Sequence, residues 1–336
     1  MLQEKNRQWL LARRPKGQVT VEDFRYSETA IPEPGEGEVL VRNHYLSCDP
    51  TQRGWMARDT YMPAIPVGEV IRSFAAGEVV RSRDSRFAPG QRVQGLFGWQ
   101  DYAVVKSSES MPILTVPDGF PLSTGISALG LTGLTAYFGL LEVGRAKAGE
   151  TVLVSGAAGA TGSSVGQIAK LIGCRVIGIA GGSEKCRYLK EQLGFDGVID
   201  YKNENIFTSL RVQCPNGIDV FFDNVGGAVL DAALVHLALR GRIVICGAIS
   251  TYNDETPAAG PKGYLRLLLK RGRMEGFLLF DFIQRADEGI RAISGWLREG
   301  KFKDRVDVVE GFENAPAALN RLFTGENQGK QVVKIG

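Results

Sequence analysis

Gly156, Gly159 and Gly162 fall in the turn of "SGAAGATGSS", between the apolar run "TVLVS" and a helical pattern. Against the dinucleotide pattern G-x-G-x-x-G, Ala157 fills the first position, and Gly159 and Gly162 fill the second and third. A glycine at the second position lets backbone approach a pyrophosphate, and one at the third lets the helix pack closely on the sheet. The helix N-terminus adds unpaired N–H groups and a positive dipole end. Tight turns are also glycine-rich for purely structural reasons, but here a complete strand–loop–helix–strand unit surrounds the loop, which favours dinucleotide binding.

The ribose end of such a site normally carries an acid roughly 20 residues past the loop, which binds both adenosine ribose hydroxyls and repels a 2′-phosphate. Here that count reaches Gly181 and Gly182, with Ser183, Lys185 and Arg187 beyond. A cation at a helix start is mildly disfavoured by the dipole, whereas a charge-assisted hydrogen bond contributes about 1.5–3 kcal/mol. The expected cofactor is therefore NADP(H) rather than NAD(H).

The elements that must position these residues come in two styles. Residues 17–120 are short apolar runs broken by Gly, Pro and Asp, as in "GEVLVRNHYLS" and "FAPGQRVQG", which suits an all-β region with tight turns. From about residue 123, strands are expected near 151–155, 175–180, 197–201, 218–223, 242–247 and 274–279, with helical patterns between them. Val165, Ile168, Ala169 and Ile172 recur at i, i+3, i+4 and i+7 and give the first of these helices one buried face. Such crossovers imply a parallel, doubly wound sheet. The tail returns to a helix around 282–299, a strand near 305–311, a helix near 313–323 and the closing strand "KQVVKIG". The expected fold class is α/β. A Rossmann domain (128–298) is inserted in a β-rich domain (1–127 and 299–336), with a cleft between the two.

Composition narrows the function classes. The 336 residues give room for two domains, and a net charge of +3 gives no reason to expect a nucleic-acid partner. The five cysteines are scattered without C-x-x-C spacing, so no disulfide framework is expected. His44 and His236 are the two histidines, and no zinc-spaced cluster can be assembled locally. His44 and Cys48 lie four apart on a strand-like segment, too widely separated to suggest a metal, and none is expected. The amino-terminal stretch lacks a signal-peptide core and no apolar run has the length of a membrane span, so a cytoplasmic protein with no membrane partner is expected.

Motifs along nearly the whole chain carry a resemblance. They include "QWLLARRPKG", "YLSCDPTQRGWM", "WQDYAVV", "GLTGLTAYFGLLEVG", "GFDGVIDYKNE", "DVFFDNVGG", "CGAISTYN", "MEGFLLFDF" and "EGFENAPAALNRLFTGENQGKQVVKIG". The chain resembles the zinc-free branch of the medium-chain dehydrogenase/reductases, which contains prostaglandin reductases, leukotriene hydroxydehydrogenases, alkenal/one oxidoreductases and curcumin reductases. The resemblance implies a GroES-like catalytic domain, and it implies that Gly159, Ala160, Thr161 and Gly162 form the pyrophosphate loop. It further implies that Lys185 and Tyr201, beside Ser183, meet the 2′-phosphate. Asn224 and the run Cys246, Gly247, Ala248, Ile249, Ser250, Thr251 and Tyr252 match the nicotinamide-ribose edge, while Phe277, Leu278, Leu279 and Asn327 match the remaining contacts. On pattern alone, Asn224 also reads as a strand-end turn and Phe277–Leu279 as core. Relatives commonly dimerise through the last strand of the cofactor sheet, so a homodimer is expected.

One departure concerns the first domain. The branch usually reads Asp-Pro-Tyr-Met-Arg where this chain has "DPTQRGWM", so Thr51 removes an aromatic, with Trp55, Tyr61 and Trp99 as possible replacements or as ordinary packing. Zinc-dependent relatives carry a Gly-His-Glu element and a four-cysteine lobe, where this chain has "PVGEV" and nothing comparable to the lobe. Direct carbonyl reduction in this fold relies on zinc as a Lewis acid. Conjugate reduction instead spreads charge over an enolate that hydrogen-bond donors can hold. The expected activity is NADPH-dependent reduction of the C=C bond of small α,β-unsaturated ketones and aldehydes. Tyr252 is either the donor and proton source or a ribose anchor. The alternatives are an NADPH:quinone reductase, a carbonyl-reducing dehydrogenase, or a crystallin-like NADPH-binding protein without turnover.

Overall fold

The computed structural model describes residues 5–256 and 259–336, so the first four residues of the amino-terminal stretch lie outside it. The chain forms two compact units. The first comprises Leu131–Thr251 with Thr256–Arg305, and the second comprises Met1–Gly130, Tyr252–Glu255 and Val306–Gly336.

The first unit is built on six strands: β1 Thr151–Val154, β2 Arg175–Ala180, β3 Gly197–Asp200, β4 Ile218–Asp223, β5 Leu237–Ile245 and β6 Arg273–Gly276. Their spatial order is β3-β2-β1-β4-β5-β6 and every neighbouring pair is parallel. Strands covered on both faces read as continuous apolar runs. Val152, Leu153, Val154, Ile177, Phe221 and Phe222 are accordingly all fully buried. The strand order reverses between β1 and β4, which is where open α/β sheets bind ligands beyond their carboxyl ends.

Helix α1, Ala160–Leu171, follows β1. Val165, Ile168 and Ala169 are fully buried on its inner face, while Ile172 is the capping residue rather than part of the helix. Two strands differ from expectation. β5 starts earlier, at Leu237, with a register irregularity against β4 between Ile218 and Val220. β6 stops at Gly276, because the apolar residues after it turn into the 3₁₀ helix Leu279–Arg285.

The second unit is a seven-stranded, mostly antiparallel sheet with a separate two-stranded ribbon, Asn6–Leu11 against Phe24–Thr29. The central strand Val39–Ser47 pairs with Lys330–Lys334, Ala75–Ser82 and Tyr102–Val105, so the carboxyl-terminal segment completes the sheet. Trp9 Nε1 donates to Phe312 O at 2.9 Å, and the two rings stack. A short helix, Thr51–Ala57, follows the "DP" dipeptide and was not expected from the periodicity. Lys330 is only 2% exposed at its side chain, and its ammonium donates to Asp49 Oδ1 at 2.5 Å and to Cys48 O at 3.1 Å. A buried cation is tolerable only with such partners.

Candidate functional site

At the switch point, the ends of β1 and β4 are tied by polar side chains. Ser155 Oγ donates to Asp223 Oδ1 at 2.7 Å and accepts the Asn224 N–H at 2.8 Å, while Asn224 Nδ2 donates to Ser155 O at 2.7 Å. Asp223 Oδ1 also accepts the N–H groups of Val225 and Gly226, each at 3.0 Å. Burial pushes the Asp223 carboxyl above its ordinary range, opposed by these three donors. The chain after β5 leans on the same turn. The Cys246 and Gly247 N–H groups donate to Asp223 O, Ile249 N–H to Asn224 O, and Ser250 N–H and Oγ both to Val225 O. The run Cys246–Thr251 and Asn224 are thus brought together on one side of the switch point.

The glycine loop starts beside the same turn, where a Cβ on Gly156 would lie 3.5 Å from Asn224 Cβ. Gly159 caps α1, and Gly159, Ala160 and Thr161 are half-buried whereas Gly162 is buried. The N–H groups of a first helical turn have no intrahelical acceptor, which leaves them for an anion. A Cβ on Gly162 would lie 2.3 Å from Gly156 O, so only glycine allows the loop to fold back on the helix. Gly156 itself has φ +57°. Both positions therefore require glycine for the backbone path of this loop.

The tip of β2 explains the missing acid. A Cβ on Gly181 would sit 2.8 Å from two ring carbons and the hydroxyl oxygen of Tyr201, and Gly182 has φ +93° and ψ 147°, a region that costs other residues about 1–3 kcal/mol. Ser183 and Lys185 follow in the short helix Ser183–Arg187, and Tyr201, half exposed, stands directly after β3. The structure therefore brings Gly181, Gly182, Ser183, Lys185 and Tyr201 into one corner. Phe277 packs edge-on against Phe222 and Phe282 beyond β6, with Leu279 buried and Leu278 half-buried, so at least part of this run is core.

Tyr252 and Asn327 belong to the second unit. Asn327 is buried and donates through Nδ2 to Gly329 O at 3.0 Å. Tyr252 lies near Tyr61, whose phenol is held above its usual range by burial, with the Tyr252 charge adding to the effect. Tyr61 Oη and Thr51 Oγ1 are 2.9 Å apart. Of the three aromatics weighed as replacements for the residue at Thr51, Trp55 and Trp99 are fully buried and only Tyr61 is exposed, at 45%. Arg53, in contrast, is buried and bonded to the carbonyls of Pro15 and Gly17, which is a packing role.

Two further residues escaped sequence reasoning. Asp223 and Asp200 both organise backbone from within strands, and their only local signal was an acid at the end of an apolar run.

Two family models match the chain, one described as the N-terminal domain of oxidoreductase over residues 7–113 and one as zinc-binding dehydrogenase over residues 160–295. The chain is 40% identical over 338 residues to the NADPH-dependent curcumin reductase of Escherichia coli, covering 99% of this chain and 97% of that one. It is 42% identical over 308 residues to the NADP(+)-dependent 2-alkenal reductase of Nicotiana tabacum, covering 91% and 89%. The chain belongs to the medium-chain dehydrogenase/reductases, in the branch of the curcumin, alkenal and prostaglandin reductases. The structure of CurA from Vibrio vulnificus in complex with NADPH superposes with a TM-score of 0.91 at 42% identity, over 98% of this chain and 99% of that one. The fold is accordingly a Rossmann domain with a β-rich catalytic domain.

One family model's description names zinc. Among the described residues no group of three or more His, Cys, Asp or Glu side chains could hold a metal ion. Cys48 is buried with its thiol held well above its usual range by burial, and the Lys330 ammonium bonds to its carbonyl.

The Asp223 network has a measurable signature. Asp223→Asn keeps an acceptor oxygen for all three donors, whereas Asp223→Ala removes it, at about 1–3 kcal/mol for each orphaned group. Because the native carboxyl keeps its proton to higher pH than the unfolded one, its contribution to stability falls as pH rises from about 3.9 through the raised native value. Denaturant unfolding should therefore show Asp223→Asn gaining on the wild type as pH rises through that window. A gain for the wild type instead would contradict the assignment.

Proposed function

We propose that this protein is an NADP(H)-dependent reductase of the C=C bond of α,β-unsaturated ketones and aldehydes. The observation that carries the reading is end-to-end similarity to reductases named for curcumin and 2-alkenals, together with the match to CurA of Vibrio vulnificus, a separate protein whose structure is a complex with NADPH. The glycine cradle and the acid-free tip of β2 support it, because they suit a pyrophosphate and a 2′-phosphate. NADPH, when bound, supplies the hydride for the β-carbon of the substrate.

The chain's own residues bind and orient. Gly159, Ala160, Thr161 and Gly162 offer backbone N–H groups to the pyrophosphate, and Ser183, Lys185 and Tyr201 surround the 2′-phosphate. Asn224 and Cys246–Thr251 form the nicotinamide-ribose edge, with Phe277, Leu278, Leu279 and Asn327 as further contacts. Burial pushes the Cys246 thiol up to about 12, so it serves this edge as a neutral group. Tyr252 donates its phenolic hydrogen bond to the substrate carbonyl oxygen, where negative charge accumulates during reduction, and the α-carbon then takes its proton from water or from Tyr252. We assign residues 128–298 to the cofactor domain and 1–127 with 299–336 to the catalytic domain.

A cytoplasmic homodimer completes the proposal. β6 ends the sheet order, and Leu265, Leu268 and Leu269 are exposed on the helix Leu265–Lys270 that packs on β5. An apolar face beside an open strand edge is suited to pairing with a second copy. No helix among the described residues is long and apolar enough to cross a membrane.

Incubation with NADPH and an enone, followed by product identification, should yield the saturated ketone. An allylic alcohol, or oxidation of NADPH by quinones alone, would overturn the reading. Tyr252→Phe should lower kcat about 10²–10³-fold, the usual cost of one oxyanion donor, with the Kd for NADPH unchanged. An unchanged kcat with weaker cofactor binding would make Tyr252 a ribose anchor instead.

A further inference from the structure

Asp200 is the last residue of β3, one strand away from the corner that follows β2, and it is only 8% exposed. Among the described residues its carboxylate makes no ion pair. Oδ1 accepts the Gly182 N–H at 2.8 Å and the Lys202 N–H at 3.1 Å, and Oδ2 accepts Asn203 Nδ2 at 2.8 Å. The Asp200 carbonyl accepts the N–H groups of Asn203 and Glu204, and its own N–H donates to Glu204 Oε1. The Gly182 N–H donor leads the causes that hold the carboxyl below its ordinary range. An acid so engaged shapes backbone.

The backbone it shapes is the corner assigned to the adenosine ribose. Gly182 is held at φ +93° by the bond to Asp200, and its carbonyl accepts the Cys186 N–H, so the start of helix Ser183–Arg187 is set from this residue. Tyr201, the next residue after Asp200, donates its N–H to Ala180 O, and its ring covers the place a Cβ on Gly181 would occupy. Gly181 is thereby closed to a side chain by the Tyr201 ring, and Gly182 is disfavoured for other residues by its backbone conformation alone. Ser183, Glu184 and Lys185 are then the first side chains past the tip of β2, and Ser183 and Lys185 are those suited to a phosphate.

We infer that Asp200 is a specificity-determining positioning residue: by pinning Gly182 beside the Gly181–Tyr201 contact it builds the corner that favours a 2′-phosphorylated adenosine over an unphosphorylated one. This rests on the NADP(H) reading above. Asp200 acts through Gly182 and Tyr201 and makes no contact with the phosphate in this role. Its negative charge is unfavourable near a phosphate, and three hydrogen-bond donors compensate it. The geometric effect must therefore outweigh a charge that, taken alone, would weaken phosphate binding.

Calorimetric titration with adenosine 2′,5′-bisphosphate and with 5′-AMP tests this without turnover. The wild type should bind the bisphosphate more tightly. Asp200→Ala should lose about tenfold or more for the bisphosphate, about 1.4 kcal/mol, and much less for 5′-AMP. Asp200→Asn retains one acceptor oxygen for Gly182 and Lys202 and should restore most of the preference. Gly182→Ala, which strains the same corner without touching the acid, should reproduce the selective loss, and it serves if Asp200→Ala does not fold. Equal losses for both nucleotides, or no loss in either variant, would overturn the inference. A wild type that does not distinguish the two nucleotides would instead remove the NADP(H) reading on which it rests.

Discussion

The order reversal between β1 and β4 is the constraint on which the cofactor unit depends. Two parallel neighbours whose following connections leave in opposite directions expose the backbone groups at their ends, and those groups need partners. Ser155, Asp223 and Asn224 supply them from side chains, so the glycine loop and the turn before Gly227 start from fixed points. The short bonds at 2.7–2.8 Å are those of a tight polar network in a region otherwise built of Val, Leu and Phe. Every later contact, from the α1 N-terminus to the Cys246–Thr251 run, is referred to that junction.

A second constraint acts on backbone at the tip of β2. Cofactor choice in this fold is usually described as the presence or absence of one acid, but here the absence has a cause in packing. The Tyr201 ring occupies the space above Gly181, and Gly182 adopts a conformation reserved for glycine. Charge enters only after sterics has cleared the place. In the proposed site, specificity is then shared between Lys185, which carries charge, and the glycine–tyrosine contact, which excludes a side chain at Gly181.

Much of this was legible in the sequence, and the failures have physical reasons. The strands of the cofactor sheet were readable because burial on both faces leaves uninterrupted apolar runs such as "TVLV" and "DVFFD". The end of β6 was misplaced because "FLLF" is equally apolar as strand or as 3₁₀ helix, so composition carries no boundary there. Helix Thr51–Ala57 was hidden by Pro50 and Gly54 and by its short length. Trp55 and Trp99 could not be separated from Tyr61 by residue type, because exposure is a tertiary property. Asp200 escaped notice for the same reason: its partner Gly182 is 18 residues away, just past the end of the neighbouring strand.

The most direct test of the central claim, that a glycine corner with no acid at Gly181 or Gly182 and a cation at Lys185 selects the phosphorylated coenzyme, is the ratio of Kd values of the wild-type protein for NADH and NADPH at one salt concentration. A charge-assisted hydrogen bond of about 1.5–3 kcal/mol corresponds to NADPH binding about 10- to 100-fold tighter. Equal affinities, or tighter binding of NADH, would contradict it.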